Sequence, residues 1–161
     1  MGYHFSPETD FQQLEQSLAR LYTPERLPAQ LERCRGVLAG LKETFGPCAQ
    51  AAVFSAPGRT EICGNHTDHQ HGLVLAGSID LDVIAAVAPN GENVIRIQSE
   101  GFPMDTVELD SLEPREGERN TSAAIIRGVA AWFKSQGCRL EGFDAYTTST
   151  VFKGSGLSSS A

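Results

Sequence analysis

The dipeptide Gly46-Pro47 separates two kinds of sequence. Before it, apolar residues recur at helical spacing: Phe11, Leu14, Leu18 and Leu21, then Leu27, Leu31, Cys34, Leu38, Leu41 and Phe45. Each stripe opens on a helix start signal. Ser6-Pro7-Glu8 and Thr23-Pro24-Glu25 both offer a capping hydroxyl, a proline for the first turn and an acid where the helix dipole favours negative charge. After the break the period falls to two. Ala51 to Ala56 reads as a strand, and so does the run Ile79, Leu81, Val83, Ala85, Val87, with Asp80 and Asp82 between. Pro89-Asn90-Gly91 is a turn signal, and Val94 to Gln98 returns as the next strand, which predicts a hairpin. Met104 to Asp110 predicts a further strand, and residues 111 to 120 a polar loop. Asn120 or Thr121 caps a helix carrying Ile125, Val129, Trp132 and Phe133, which ends near Gly137. Phe143 to Thr150 predicts a last strand. Helices and strands mix without simple βαβ alternation, which favours an α+β fold over a doubly wound sheet.

A chain of 161 residues, 40% apolar and 20% charged, has the composition of a globular domain. A chain of this length buries about 70% of its unfolded surface. Its net charge of −7 argues against nucleic acid and anionic membranes as partners, since both require a basic face. Any bound phosphate must be held by backbone N–H groups, a metal and a few placed cations. Cys34, Cys48, Cys63 and Cys138 contain no C-x-x-C pair and read as reduced, mostly buried thiols. The opening "MGYHFSPETD" has neither the basic nor the apolar region of a secretory signal. No apolar run approaches the roughly 20 residues of a membrane span. A cytoplasmic protein is expected.

Two stretches carry chemistry. In "KGSGLSSSA", Lys153 to Ala161, two glycines let the backbone approach a ligand, and the serines supply hydroxyl and N–H donors. After a strand and before a helix, such a loop aims N–H groups at an anion. It is neither a Walker A loop nor the dinucleotide fingerprint, and on local pattern alone a flexible Gly/Ser loop remains an alternative. In "APGRTEICGNHTDHQHG", Ala56 to Gly72, three histidines (His66, His69, His71) sit beside Asp68. Their spacing lacks the paired histidines that metallohydrolases place ahead of the aspartate, and no further ligands complete a set of four. A metal cage and a polar pocket both stay open on these residues alone.

Taken together, "APGR…GNHTDHQHGLVLAGSIDLD" resembles the galactokinase signature, and "GSGLSSSA" resembles the phosphate loop of the GHMP small-molecule kinases. Their order, their separation and Arg127-Gly128-Val129 between them also fit. The resemblance covers Phe45 to Ala161. It implies an α+β fold: a mixed β-sheet with helices on one side, forming a GHMP-kinase-type N-terminal domain. Residues 1–46 would be a preceding helical segment, and 47–161 a truncated domain ending in the phosphate loop.

The resemblance also implies roles. Arg59 would lie beside the transferring phosphoryl group as the catalytic residue. Asn65, His66, Thr67 and Asp68 would grip the sugar hydroxyls. Gly154, Ser155, Gly156, Leu157, Ser158, Ser159 and Ser160 would wrap the nucleotide phosphates, with Ser160 also a magnesium ligand and Ser99 a further nucleotide contact. The implied cofactors are ATP and Mg²⁺, and the implied reaction is phosphorylation of the anomeric hydroxyl of galactose. The sequence departs from the family on the sugar side. Asn65 replaces a glutamate, Glu61 an asparagine, His69-Gln70 a Tyr-Asn pair, and Ala76 a proline. A kinase for another hexose or amino sugar is therefore one alternative, and a non-catalytic galactokinase-like sugar sensor another; a metallohydrolase ranks third. Because the family's proton acceptor matches no position here, the 161 residues alone are expected to be a fragment. Such a fragment would be inactive and prone to self-association.

Overall fold

The computed structural model describes residues 3–5, 11–64 and 71–151. The chain divides into two compact units, Met1–Phe54 with Ala85–Thr147, and Ser55–Ile84 with Thr148–Ala161. Each is taken by itself. In the first unit, α1 covers Phe11–Leu18 and α2 covers Leu27–Phe45. Leu14, Leu31 and Cys34 form a small core between them, flanked by Leu18, Leu27 and Val53. The first start signal, Ser6-Pro7-Glu8, falls outside the described residues. The first stripe stops short of its last member: Leu21 is 73% exposed, in a turn closed by Tyr22 N–H donating to Leu18 O (2.9 Å). Thr23 precedes a proline and so resists helical backbone, which keeps α1 from running on into the next helix.

The second helix begins at Leu27, with Arg26 as N-cap and Pro28 in its first turn. Thr23-Pro24-Glu25, expected to start it, instead forms the turn leading in, where Arg26 N–H donates to Thr23 O (3.0 Å). Pro28 supplies the fixed φ of a first turn and lacks only an N–H that no helix start would use. Val37 is fully buried and Leu41 nearly so, while Leu38 is only half-buried. The helix stops at Gly46 (φ 89°), whose N–H donates to Lys42 O (2.9 Å).

The sheet comprises β1 (Tyr3–Phe5), β2 (Ala51–Cys63), β3 (Leu75–Pro89), β4 (Val94–Ser99), β5 (Asp105–Glu108) and β6 (Phe143–Ser149). Their order is β1-β2-β3-β6-β4-β5 among the described residues. The short β1, not expected from the sequence, pairs antiparallel with β2 (Tyr3 opposite Val53). Three residues are too few to show a period. The hairpin expected between β3 and β4 does not form, because β6 lies between them and runs parallel to β4 (Arg96 opposite Asp144). The turn at Asn90 is held instead by side-chain bonds, its Nδ2 donating to Val94 O (3.1 Å) and Asp144 Oδ1 (2.9 Å). The hairpin lies one strand later, between β4 and β5 (Ile95 opposite Val107).

The mixed α+β sheet is as expected; the helices use both of its faces. On one face Ile95, Val107, Leu109 and Leu112 pack with Ala130 of α3 (Ser122–Ser135). Neighbouring residues of a strand point oppositely, so Arg96, Asp144 and Tyr146 share the other face. There the Arg96 guanidinium lies 5.9 Å from the Phe45 ring centroid of α2, and Tyr146 packs against Gly40 so closely that a Cβ would overlap the ring. In β3 the deeply buried residues of this unit are Ala86 and Ala88 rather than Ala85 and Val87. Small side chains there let α2 approach. The third helix is capped as expected, Thr121 Oγ1 accepting from Ala124 N–H (3.4 Å). Its expected stripe faces outward, however. Ile125, Val129, Trp132 and Phe133 are 44–58% exposed, and the inward side carries Ala123, Ile126, Ala130 and Ala131. Of the thiols Cys34 alone is buried; Cys63 and Cys138 are exposed at the end of β2 and after α3.

Arg127 on α3 is 2% exposed and gives Glu118 a two-pronged bond, Nε to Oε2 (2.7 Å) and Nη2 to Oε1 (2.6 Å), while Nη1 donates to Ser111 O. The Arg127 guanidinium, chiefly by hydrogen bonding, holds the Glu118 carboxyl below the usual carboxylate range. A carboxyl depressed on folding stabilises above its unfolded pKa, and that stability is lost as pH falls through the folded value. Glu118→Gln should therefore lower the melting temperature at pH 7. The gap from wild type should close as pH falls below about 4, measured by thermal melts across pH 3–7. A constant gap would mean that Glu118 does not stay ionised for Arg127.

Candidate functional site

The second unit contains the end of β2 from Ser55, the start of β3 up to Ile84, and Thr148 to Val151 among its described residues. Pro57 and Gly58 lie within β2, and Gly58 is buried. Arg59 follows, exposed, with no hydrogen bond or ion pair among the described residues. An extended strand bearing an exposed guanidinium presents a planar, permanently charged donor.

Beyond Cys63 the chain turns at Gly64 (φ 124°), a conformation open to glycine but strained for other residues. Space forbids a side chain as well: a Cβ would stand 2.6 Å from Val74 Cγ1 and 2.7 Å from Val74 Cα. Gly64 therefore brings the end of β2 against Leu73 and Val74 and ties together the two ends of the segment bearing the motif. Asn65, His66, Thr67 and Asp68, with His69 and Gln70, fall outside the described residues, as do Gly154, Ser155, Gly156, Leu157, Ser158, Ser159 and Ser160. His71 is exposed and has a positive φ of 62°. Among the described residues no group of three or more His, Cys, Asp or Glu side chains could hold a metal ion. Nor is any helix there long and apolar enough to cross a membrane.

Sequence reasoning missed a cluster around Asp82, which is 7% exposed. Its carboxylate Oδ2 accepts from Ser55 Oγ on β2 (2.6 Å). Its N–H donates to Thr150 Oγ1 (3.0 Å), Thr150 N–H donates to Asp82 O (3.0 Å), and Thr150 Oγ1 donates to the same oxygen (3.2 Å). Next to it, Ser149 Oγ donates to Val151 O (3.1 Å) and accepts from Val151 N–H (3.0 Å). The signal for Asp82 was its alternation with Ile79 and Leu81, but the phase of the strand decides whether such an aspartate points inward.

Ser99 belongs to the first unit, at the end of β4 opposite Thr147 of β6. It is half-buried, and its Oγ accepts from Thr147 Oγ1 (3.0 Å). The Ser99 hydroxyl proton can still be donated to a ligand.

Residues 41–89, the span holding Arg59, Gly64 and Asp82, match the galactokinase galactose-binding signature. By sequence and by fold, the chain is related to the galactokinases. It is 35% identical over 120 residues to a galactokinase from Streptomyces coelicolor, covering 74% of this chain and 31% of that protein. It is 33% identical over 127 residues to one from Lacticaseibacillus casei, covering 78% of this chain and 32% of that protein. Among solved structures it matches Lactococcus lactis galactokinase complexed with galactose, with a TM-score of 0.66, 27% identity, and coverage of 74% of this chain and 31% of that one. The mevalonate kinase of Methanococcus jannaschii shares the fold at a TM-score of 0.51, with 13% identity over 65% of this chain and 34% of that one. This galactokinase-like chain spans about a third of the length of the curated relatives it matches.

Gly64→Ala should destabilise the chain by about 1–3 kcal/mol through backbone strain and overlap. Denaturant titration measures this. A loss below about 0.5 kcal/mol would show that Val74 and Leu73 move aside freely.

Proposed function

We propose that the protein carrying this sequence is an ATP-dependent sugar kinase that phosphorylates the anomeric hydroxyl of galactose. The supporting observation is the match of residues 41–89 to a galactose-binding signature in a chain that also contains "GSGLSSSA". In this reading Arg59 lies beside the transferring phosphoryl group. Transfer spreads negative charge over three equatorial oxygens, and a planar guanidinium stabilises that distribution without changing protonation. The exposure of Arg59 and its lack of an ion-pair partner among the described residues suit such a role. Asn65, His66, Thr67 and Asp68 would bond the sugar hydroxyls, and a site built to do so rejects analogues lacking them. Gly154 to Ser160 would supply N–H and hydroxyl donors to the nucleotide phosphates, with Ser99 a further contact. Magnesium, held by Ser160, would neutralise phosphate charge.

A coupled ADP-release assay on the full-length protein with ATP, magnesium and a panel of sugars tests the reading. Galactose-dependent release supports it; no release with any sugar would leave a sensor. Arg59→Ala should lower kcat by about 10²–10³-fold with little change in sugar affinity. A loss confined to KM would make Arg59 a binding residue.

One substitution favours a second reading, in which the preferred sugar is another hexose or an amino sugar. Asn65 stands where the family has glutamate, which replaces a charge-assisted acceptor with a neutral amide. Asn65→Glu should shift the ratio of kcat/KM between galactose and its epimeric or amino analogues by at least about tenfold. An unchanged ranking would mean that Asn65 does not touch the discriminating hydroxyl.

A further inference from the structure

Two strands and the residue that follows a third meet at Asp82 within the second unit. Ser55 lies on β2, four residues before Arg59; Asp82 lies on β3; Thr150 follows β6, four residues before Gly154. The contacts differ in kind. Thr150 engages the Asp82 backbone, closing a ring in which its hydroxyl both accepts and donates. Ser55 engages the carboxylate at 2.6 Å, a short bond to a largely buried acceptor. A carboxylate is costly to bury, and an alanine would pack at that position without the penalty. What it provides is a fixed distance between β2 and β3, while Thr150 fixes where the chain leaves β6. Val151 is itself 7% exposed and bracketed by Ser149.

We propose that Asp82, Ser55 and Thr150 are positioning residues that hold the strand bearing Arg59 in register with the exit of the strand leading to Gly154–Ser160. The inference rests on the kinase reading for its consequence and on the hydrogen bonds for its geometry. The two halves of the cluster act on different steps. Thr150 sets the origin of the segment assigned to the nucleotide, so its loss weakens nucleotide binding. The Asp82–Ser55 bond sets the strand of Arg59, so its loss slows transfer.

The test is steady-state kinetics on the full-length protein with paired variants. Thr150→Val keeps the volume and removes the hydroxyl; it should raise the KM for ATP about tenfold and leave the KM for sugar within about twofold. Thr150→Ser keeps the hydroxyl and should return the KM for ATP to within about twofold of wild type. Asp82→Ala should lower kcat about tenfold, whereas Asp82→Asn, which can still accept from Ser55, should lose far less. Unchanged KM for ATP in Thr150→Val, or equal losses in the members of either pair, would overturn the proposal. Hydrogen exchange over residues 148–151, where Thr150 N–H and Val151 N–H are bonded, gives a readout independent of turnover. Exchange should be about tenfold faster in Thr150→Val than in Thr150→Ser. Should wild type phosphorylate no sugar, the kinase reading fails and the exchange decides the anchor alone: equal rates would overturn it, and faster exchange in Thr150→Val would uphold it.

Discussion

Parallel pairing of β6 with β4 is the constraint on which the first unit depends. It joins residues 48 apart in sequence, Arg96 and Asp144, through two bonds: Nε to Oδ1 (2.7 Å) and Nη2 to Oδ2 (3.0 Å). A largely buried ion pair of this kind contributes little net stability, because desolvation offsets most of the attraction. Its stronger effect is on register. Sliding β6 by one residue would turn Asp144 onto the face occupied by Ile95, Val107 and Ala130, where no partner awaits a carboxylate. Asn90 adds to the same selection by donating to Asp144, so the turn after β3, the start of β4 and the start of β6 are fixed by one carboxylate.

That arrangement explains which parts of the fold were legible in the sequence. Helices, strands and their approximate limits follow from local periodicity, and α2, α3, β4, β5 and β6 all lie where the pattern puts them. What periodicity does not carry is the neighbour of each strand. Pro89-Asn90-Gly91 has the chemistry of a hairpin turn, yet β6 enters beside β3 and β4. The preference for a turn is local, whereas the pairing is decided by charges 48 residues apart. The same limit applies to the face of α3. Trp132 and Phe133 dominate its stripe by size and pack edge to face, centroids 4.9 Å apart, while the inward contact is made by Ile126 and three alanines that allow close approach.

The candidate site divides in the same way. Its motifs were legible because they are continuous: Ala56 to Asp68 and Gly154 to Ser160 each concentrate unusual residue types in a short span. The cluster at Asp82 was not, since it draws one residue from β2, one from β3 and one just past β6, separated by up to 95 positions, Ser55 to Thr150. Its components are unremarkable alone. A serine, a threonine and an aspartate become a connected unit only once β2, β3 and β6 are set side by side.

Charge draws the two levels together. A chain of net charge −7 repels a polyanionic nucleotide at long range, so any affinity must come at short range from backbone N–H groups, a metal and a few cations left uncommitted. The arginines that build the first unit are not available for this. Arg96 gives its donors to Asp144 and Glu92, and Arg127 gives its own to Glu118 and Ser111. Each is locked by carboxylates that cancel its field. Arg59, exposed on β2, has no such carboxylate among the described residues. Holding a cation on a strand rather than a mobile loop would keep the ordering cost low for any anion it bound, because the backbone is already fixed. The strand therefore matters to Arg59 as much as the guanidinium does: a cation free to swing would bind phosphate in water's place only by giving up that freedom.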